Sequence, residues 1–334
     1  MQVYSGSGYN VEVSLKGVVG NSIYYARNML LGDGTKTEIR KVNMAAMTDT
    51  IISKTAFAPT WAGIPDYANN RLYFAGEAQA DADAVIDWPA MRMMVGYVDL
   101  ADDSIHMYRR TVDTGDCNEI ISLILDSANG RLIAGERSVG GDPGAAPAGQ
   151  RGCGIWTIPI ATIADPATWA RVNQMPGTST VNSLAIYGGR LFASQDDSTR
   201  SLPLSGLGGA WRLEQNLNAL GQLLPHPDGK LYATMAALDF SALHLMVYDG
   251  AAWAEVVPTP AFSGFPSAMV VLSDGRILCS SWDAACPVIQ ADGRWANVTR
   301  DKLEASGVWQ RVGSYVYGPI QSQWRIMRIG PVTP

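Results

Sequence analysis

Charge is scarce in this sequence. Asp, Glu, Lys and Arg make up 17% of its 334 residues, where a soluble domain usually has about a quarter, and only six residues are lysines. The net charge of −6 excludes a nucleic-acid partner, which needs a basic face. Long apolar runs are missing as well. None approaches the roughly 20 residues that cross a bilayer, so no membrane insertion is expected. The opening residues, MQVYSGSGYNVEV, have neither a basic n-region nor an apolar h-region, so no signal peptide is expected. The four cysteines, Cys117, Cys153, Cys279 and Cys286, form no CxxC pair and no zinc spacing. Cys279 and Cys286 either face each other across a hairpin as a disulfide or remain buried thiols. The three histidines, His106, His226 and His244, form no HxxxH. GxSxG, the phosphate-binding loop and the dinucleotide fingerprint are absent, so no cofactor is expected.

Repetition is what the sequence has. Trp169, Trp211, Trp253 and Trp295 follow one another at intervals of 42 residues, in the short segments TWARV, AWRLE, AWAEV and RWANV. A fixed blade position predicts that these four are core residues. A second marker, a turn residue followed by apolar and small residues, occurs seven times: NSIYYA, NRLYFA, GRLIAG, GRLFAS, GKLYAT, GRILCS and GSYVYG. Between Leu220 and Pro258 four apolar runs are separated by turns such as Asp228-Gly229 and Asp249-Gly250, whose residues take the positive φ a tight hairpin needs. Leu231, Ala233 and Met235 alternate with Tyr232 and Thr234, which is strand periodicity. A repeat of about 40 to 50 residues with four strands is a propeller blade. A lone four-stranded sheet cannot bury both faces, so blades stack on their neighbours.

The expected fold is therefore all-β: a seven-bladed β-propeller of antiparallel four-stranded blades, with six blades as the alternative, in one domain over 1–334. Blade one is expected over 13–43, with a hairpin turn at Asp33-Gly34. Blade two runs from about Phe57 to Val112 and blade three from about Ile120 to Val172. Insertions fall at 76–90 and 135–152. Blades four to six are the regular copies. Blade seven shows only three strands, in GVWQRVG, SYVYGPI and WRIMRI. The N-terminal Gln2-Val3-Tyr4-Ser5 is expected to supply its outer strand and so pair an exposed edge. Helix is expected only as a turn near 300–305.

The unit GKLYAT…VYDGAAWAEV, with Tyr248-Asp249…Trp253 and the Gly188-Gly189 pair, resembles the blades of kelch-like and regulatory-type β-propellers over about residues 13 to 330. That resemblance implies the architecture. Propellers of this kind host binding, signalling, lyase and glycosidase roles, so the fold leaves the activity open.

Strands A to D of an antiparallel blade place the A–B and C–D connections at one end and the B–C and D–A connections at the other. The former read as tight turns. The latter are longer and carry both insertions, so the site is expected there, near the axis. The candidate ligand-binding residues are Glu77, Asp87, Trp88, Glu136, Asp196, Asp197, Trp282 and Asp283. A tryptophan beside carboxylates suits a sugar ring and its hydroxyls; packing of each loop onto its sheet is the other reading. Asp81-x-Asp83-x-x-x-Asp87 offers oxygen ligands to Ca²⁺, or is a solvated acidic loop. Two carboxylates near the axis would also serve as acid and base on a glycoside.

Few charges, with much Gly, Ala and Thr, resemble proteins exposed outside cells, yet no export signal is seen. A bacteriophage virion protein on the tail or head surface satisfies both. The expected role is non-enzymatic binding or assembly, with a host-surface glycan or neighbouring virion proteins as partners. A polysaccharide lyase or glycoside hydrolase, and a cytoplasmic kelch-like scaffold, are the rival readings.

Overall fold

A computed structural model of the chain describes residues 2–5, 11–29, 36–56, 60–78, 92–110, 119–137, 154–172, 180–195, 198–217, 222–236, 243–256, 269–279, 287–289, 295–297, 309–320 and 325–329. Their strands form seven four-stranded sheets. Blade one holds β2 (Val11–Val19), β3 (Ser22–Met29), β4 (Lys36–Asn43) and β5 (Thr48–Ala56). Blade two holds β6 (Thr60–Asp66), β7 (Arg71–Ala78), β8 (Arg92–Asp99) and β9 (Ile105–Arg109). Blade three holds β10 (Glu119–Asp126), β11 (Arg131–Arg137), β12 (Ile155–Pro159) and β13 (Ala170–Arg171). Blade four holds β14 (Ser183–Tyr187), β15 (Arg190–Ser194), β16 (Thr199–Pro203) and β17 (Arg212–Gln215). Blade five holds β18 (Leu223–Pro225), β19 (Leu231–Ala236), β20 (Leu243–Tyr248) and β21 (Trp253–Glu255). Blade six holds β22 (Met269–Val271), β23 (Ile277–Cys279), β24 (Pro287–Ile289) and β25 (Trp295–Asn297). In the last sheet β26 (Gln310–Val312), β27 (Tyr315–Ile320) and β28 (Arg325–Ile329) are followed by β1 (Gln2–Ser5), in the order β1-β28-β27-β26. From β2 to β27, hydrogen-bonded neighbours within each sheet run antiparallel.

The blade count is seven, and the N-terminal strand completes the last blade as expected. Blade one departs from expectation. It does not stop at 43: its outer strand is β5. The segment TDTIISKTA leaves Ile51 exposed, and an outer strand with one wet face gives a weak apolar pattern. Asp33-Gly34 and the turn near 300–305 lie outside the described residues.

Two compact units divide the chain. One comprises residues 3–181 with 323–326 and contains blades one to three. The other comprises 182–322 with 1–2 and 327–334 and contains blades four to six and most of seven. In the first unit β7 shows why its sequence reads as a continuous apolar run rather than an alternating one. Leu72, Tyr73, Phe74 and Ala75 are all fully buried. Leu72 and Phe74 pack with Tyr24, Ala26 and Ile39 of blade one, while Tyr73 and Ala75 pack with Ile120, Leu132 and Ala134 of blade three. Both faces of a second strand are thus covered, and each such side chain is worth about 1.5–3 kcal/mol of burial. In the other unit β19 does the same. Leu231 and Ala233 meet Ala185 and Phe192 of blade four, and Tyr232 meets Met269 and Ile277 of blade six.

Turn chemistry fixes the registers. Gly229 sits at φ 80 and Gly275 at φ 83, in the left-handed region that glycine occupies without a steric cost. Blade two uses Asn70 at φ 52, after a one-turn helix at Tyr67–Asn69 whose Asp66 side chain accepts from the Asn69 amide. The Tyr-Asp…Trp segment has a local reason: Asp249 Oδ1 accepts from the amides of Ala251 and Ala252 at 2.8 and 3.0 Å, and the turn lays the Trp253 ring 5.3 Å from Tyr248. Not every C–D connection is tight. In blade three it forms one-turn helices at Ile160–Thr162 and Pro166–Thr168.

The repeated tryptophans lie at the start of the outermost strand. Trp169 is buried, but Trp211 and Trp253 are half-buried. The core assignment therefore needs correction for those two, because the fourth strand faces solvent on one side. The Trp295 side chain lies outside the described residues. Cys279 is buried; the other three cysteines lie outside the described residues.

Candidate functional site

Buried polar groups are distributed unevenly along the strands. At the ends that meet the B–C and D–A connections lie Glu38, Glu77, Glu119, Glu136, Gln195 and Thr199, all buried. At the opposite ends the described buried acids are Asp66 and Asp126, and both serve their own turns. Asp66 accepts from Asn69 Nδ2 at 2.8 Å. Asp126 accepts from Asn129 Nδ2 at 2.9 Å and Arg131 Nε at 2.7 Å. A buried polar group costs free energy unless it is bonded, so the crowded end is where the fold commits polar chemistry.

In the first unit the crowding centres on the seam of blades two and three. Glu77, the next-to-last residue of β7, is 1% exposed. Burial, then the negative charge of Glu119, push its carboxyl up to about 8, with Arg137 pulling the other way. Glu119 opens β10, is also 1% exposed and is held by Arg137 Nε at 2.5 Å. Register explains that pair: Glu119 lies opposite Arg137 across β10 and β11. Glu136 lies opposite Ile120 instead, so it points to the other face of the sheet and accepts from the Gly154 amide at 2.8 Å. Arginines surround this end. Arg110, just past β9, stacks on Trp156 of blade three with its guanidinium carbon 4.1 Å from the ring centre. Arg171 lies 6.0 Å from the same ring. Arg109 is held below the usual arginine range by burial and by the neighbouring charge of Arg92.

Nearer the first strands, Lys16 is almost wholly buried. It is the extra residue where the β2–β3 register shifts between Leu15 and Gly17. Its Nζ donates to Ser14 Oγ at 2.9 Å and to the Ala62 carbonyl of blade two at 3.4 Å. Burial lowers its pKa well below the ordinary lysine value. In the other unit His244, at the start of β20, meets Glu255, at the end of β21, through Nδ1 and Oε1 at 2.9 Å. That pair is partly exposed.

Of the residues expected from sequence, Glu77 and Glu136 lie at the predicted strand ends, Glu77 on β7 of blade two and Glu136 on β11 of blade three. Asp81, Asp83, Asp87, Trp88, Asp196, Asp197, Trp282 and Asp283 lie outside the described residues. Among the described residues no three His, Cys, Asp or Glu side chains converge as a metal needs, and no helix is long and apolar enough to cross a membrane. Sequence reading missed Glu119, Arg137, Gln195 and Lys16, since it searched connections rather than strand ends.

No protein-family model matches the chain, and no curated protein matches it. Solved structures do. The extracellular domain of a one-component system, BT4673 from B. thetaiotaomicron, is 10% identical at a TM-score of 0.62, over 98% of this chain and 39% of that one; this chain thus spans well under half of that protein's length. A streptogramin B lyase is 11% identical at a TM-score of 0.61, over 97% of this chain and 95% of that one. The β-propeller domain of the Trilobed protease from Pyrococcus furiosus is 10% identical at a TM-score of 0.56, over 96% and 94%. At such identities the likeness shows the fold alone: this chain is a β-propeller built of seven four-stranded blades.

Proposed function

We propose that the chain is a non-enzymatic binding propeller whose B–C/D–A strand ends present the ligand face, and that its ligand is a polyhydroxylated surface glycan. The observation that carries this reading is the gathering of buried Glu, Gln and Thr at that end, against two aspartates at the other that bond within their own turns. Arg109, Arg110 and Arg137 are half-buried at that end, and guanidinium groups held in place by a rigid scaffold suit the many hydroxyls of a sugar chain. Cleavage is the less favoured activity at the seam of blades two and three. Glu77 and Glu119 are each 1% exposed, and a glycosidic oxygen has to touch the acid that protonates it. The virion setting, with neighbouring virion proteins as partners, rests on composition alone: few charges and few lysines.

The test is retention of the purified chain on a glycan microarray, beside copurification from its native source. Specific retention that is reduced by Arg109→Ala, with the fold intact, supports the binding face. A chain that is retained by no glycan and copurifies with no partner overturns both parts. Turnover of an arrayed glycan would return the reading to an enzyme.

A further inference from the structure

Glu77 differs from the other buried acids of its unit. Asp66, Asp126, Glu119 and Glu136 each accept a hydrogen bond from a nearby donor. Glu77 Oε2 is buried and has no hydrogen-bond partner. Its surroundings can be listed element by element. Blade three offers Glu119 on β10 and, on β11, Arg137, whose guanidinium meets Glu119 at 2.5 Å, and Glu136, which accepts from the Gly154 amide. Just past β9, Arg110 bonds the Met93 carbonyl through its backbone amide and lays its guanidinium over the Trp156 ring. On its own sheet β8 places the uncharged Met93 opposite, and Arg92 pairs with Ala78, one residue further and hence on the other face. Thr60 of β6 pairs with Gly76. Lys16 on β2 has its amine at Ser14 and the Ala62 carbonyl. An ionised Glu77 would put two buried carboxylates near one partly exposed guanidinium, and like charges so placed disfavour each other's ionised form.

Its position matters equally. Glu77 lies one residue before the end of β7, and the Ala78–Arg92 pair just beyond it is the last rung before the 79–91 connection. A side chain there cannot reach water unless that rung opens. We propose that Glu77 is a proton-operated latch: neutral, it holds the β7–β8 end closed against blade three, and ionised, it releases that end. The proposal concerns the same face as the glycan reading but stands without it.

The sign follows from linkage. An opened, solvated Glu77 ionises near the ordinary value of 4.5 and the closed one near 8. Opening therefore becomes about tenfold more favourable per pH unit between these limits and levels off above them. Hydrogen exchange of the full chain, divided by intrinsic rates, reads this in peptides covering 71–78 and 92–99. From pH 5.5 to 7.5 the opening constant should rise by roughly fiftyfold to a hundredfold, and Glu77→Gln should abolish the rise. Equal slopes in both proteins overturn the latch. Should Glu77→Gln not fold, infrared titration of the unaltered chain decides. The carbonyl stretch of a protonated buried carboxyl must persist at pH 7 and vanish by pH 9, and its absence at pH 7 overturns the proposal. Glu119→Gln frees Arg137 for Glu77, so it must move that titration to lower pH; an unmoved titration also overturns it.

Discussion

His226 of blade five and Gly275 of blade six are joined across their A–B turns, the ring Nε2 donating to the carbonyl oxygen at 2.7 Å. Its Nδ1 lies 3.1 Å from the Asp228 amide nitrogen and 2.8 Å from Asp228 Oδ1, so the ring is held by its own turn as well as by the next blade. Neighbouring blades are tied in the same way elsewhere. Tyr187 of blade four donates to the Gly229 carbonyl of blade five, and Tyr67 of blade two to the Val18 carbonyl of blade one at 2.9 Å. In a structure whose stability is a sum over repeats and their interfaces, such ties act one seam at a time. His226→Ala should cost about 0.5–1.5 kcal/mol in urea unfolding. A loss within error would show that the tie contributes nothing.

Two buried ionisable groups predict opposite pH slopes. Glu77 is raised to about 8, so the folded state holds a proton that the unfolded state has released. Its stabilising contribution is complete below about 4.5 and is lost as pH rises through 8, by at most about 1.4 kcal/mol per unit. Lys16 is lowered, so the unfolded state holds the extra proton, and stability rises with pH until the ordinary lysine value near 10.5 is reached. Denaturant midpoints should therefore show Glu77→Gln more stable than the unaltered chain at pH 7 and level with it at pH 4. An effect at pH 4 as large as at pH 7 would contradict this.

For Lys16→Met the alkaline rise should disappear while the acid side keeps its shape. The comparison is best made between pH 7 and pH 10, by urea unfolding at each step. If the rise survives the substitution, it belongs to another group.

Gly96 on β8 has no room for a side chain. A β-carbon there would stand 2.5 Å from the His106 carbonyl oxygen and 2.6 Å from the Phe74 ring. Gly96→Ala should cost about 1–3 kcal/mol by forcing both the His106 backbone and the ring aside, and Phe74→Ala about 3–5 kcal/mol by emptying the space on the ring side. Melting temperatures of the two single variants and the double variant test the shared cause. The double loss should fall short of the sum, since the smaller residue at 74 makes room for the methyl group.

Removing residues 1–5 should expose β28 as an unpaired edge. Such a chain is expected to melt earlier and to associate through that edge, visible by light scattering at concentrations where the full chain is monodisperse. A truncated chain with unchanged melting and scattering would mean that β1 contributes no stability.

The architecture was legible because each blade repeats the same local solution: a glycine or asparagine at the A–B turn, then a second strand apolar on both faces. Where one face is wet the pattern weakens, and β5 was missed for that reason. The site was legible only as an end of the strands. Glu77 and Glu136 were singled out, yet Glu136 and Arg137 are chain neighbours on opposite faces, and only Arg137 reaches Glu119. That distinction depends on register, which a bulge between Ile120 and Ser122 shifts by one. The charge influence of that pair on Glu77 crosses from one blade to the next, which no local pattern encodes.

The last sheet takes β1 from one end of a 334-residue chain and β28 from the other. During synthesis blades one to six have all their strands well before the ribosome reaches the last ones, whereas the first strand must wait for residues 325–329 to emerge. The wait brings little penalty in loop entropy, which grows only with the logarithm of length, but it does have a temporal one. A chain cut short anywhere in its final blade keeps β1 unpaired. The seam thus reports completion of the last blade, and a protease or chaperone that reads loose strands would find products cut short within that blade by that strand alone.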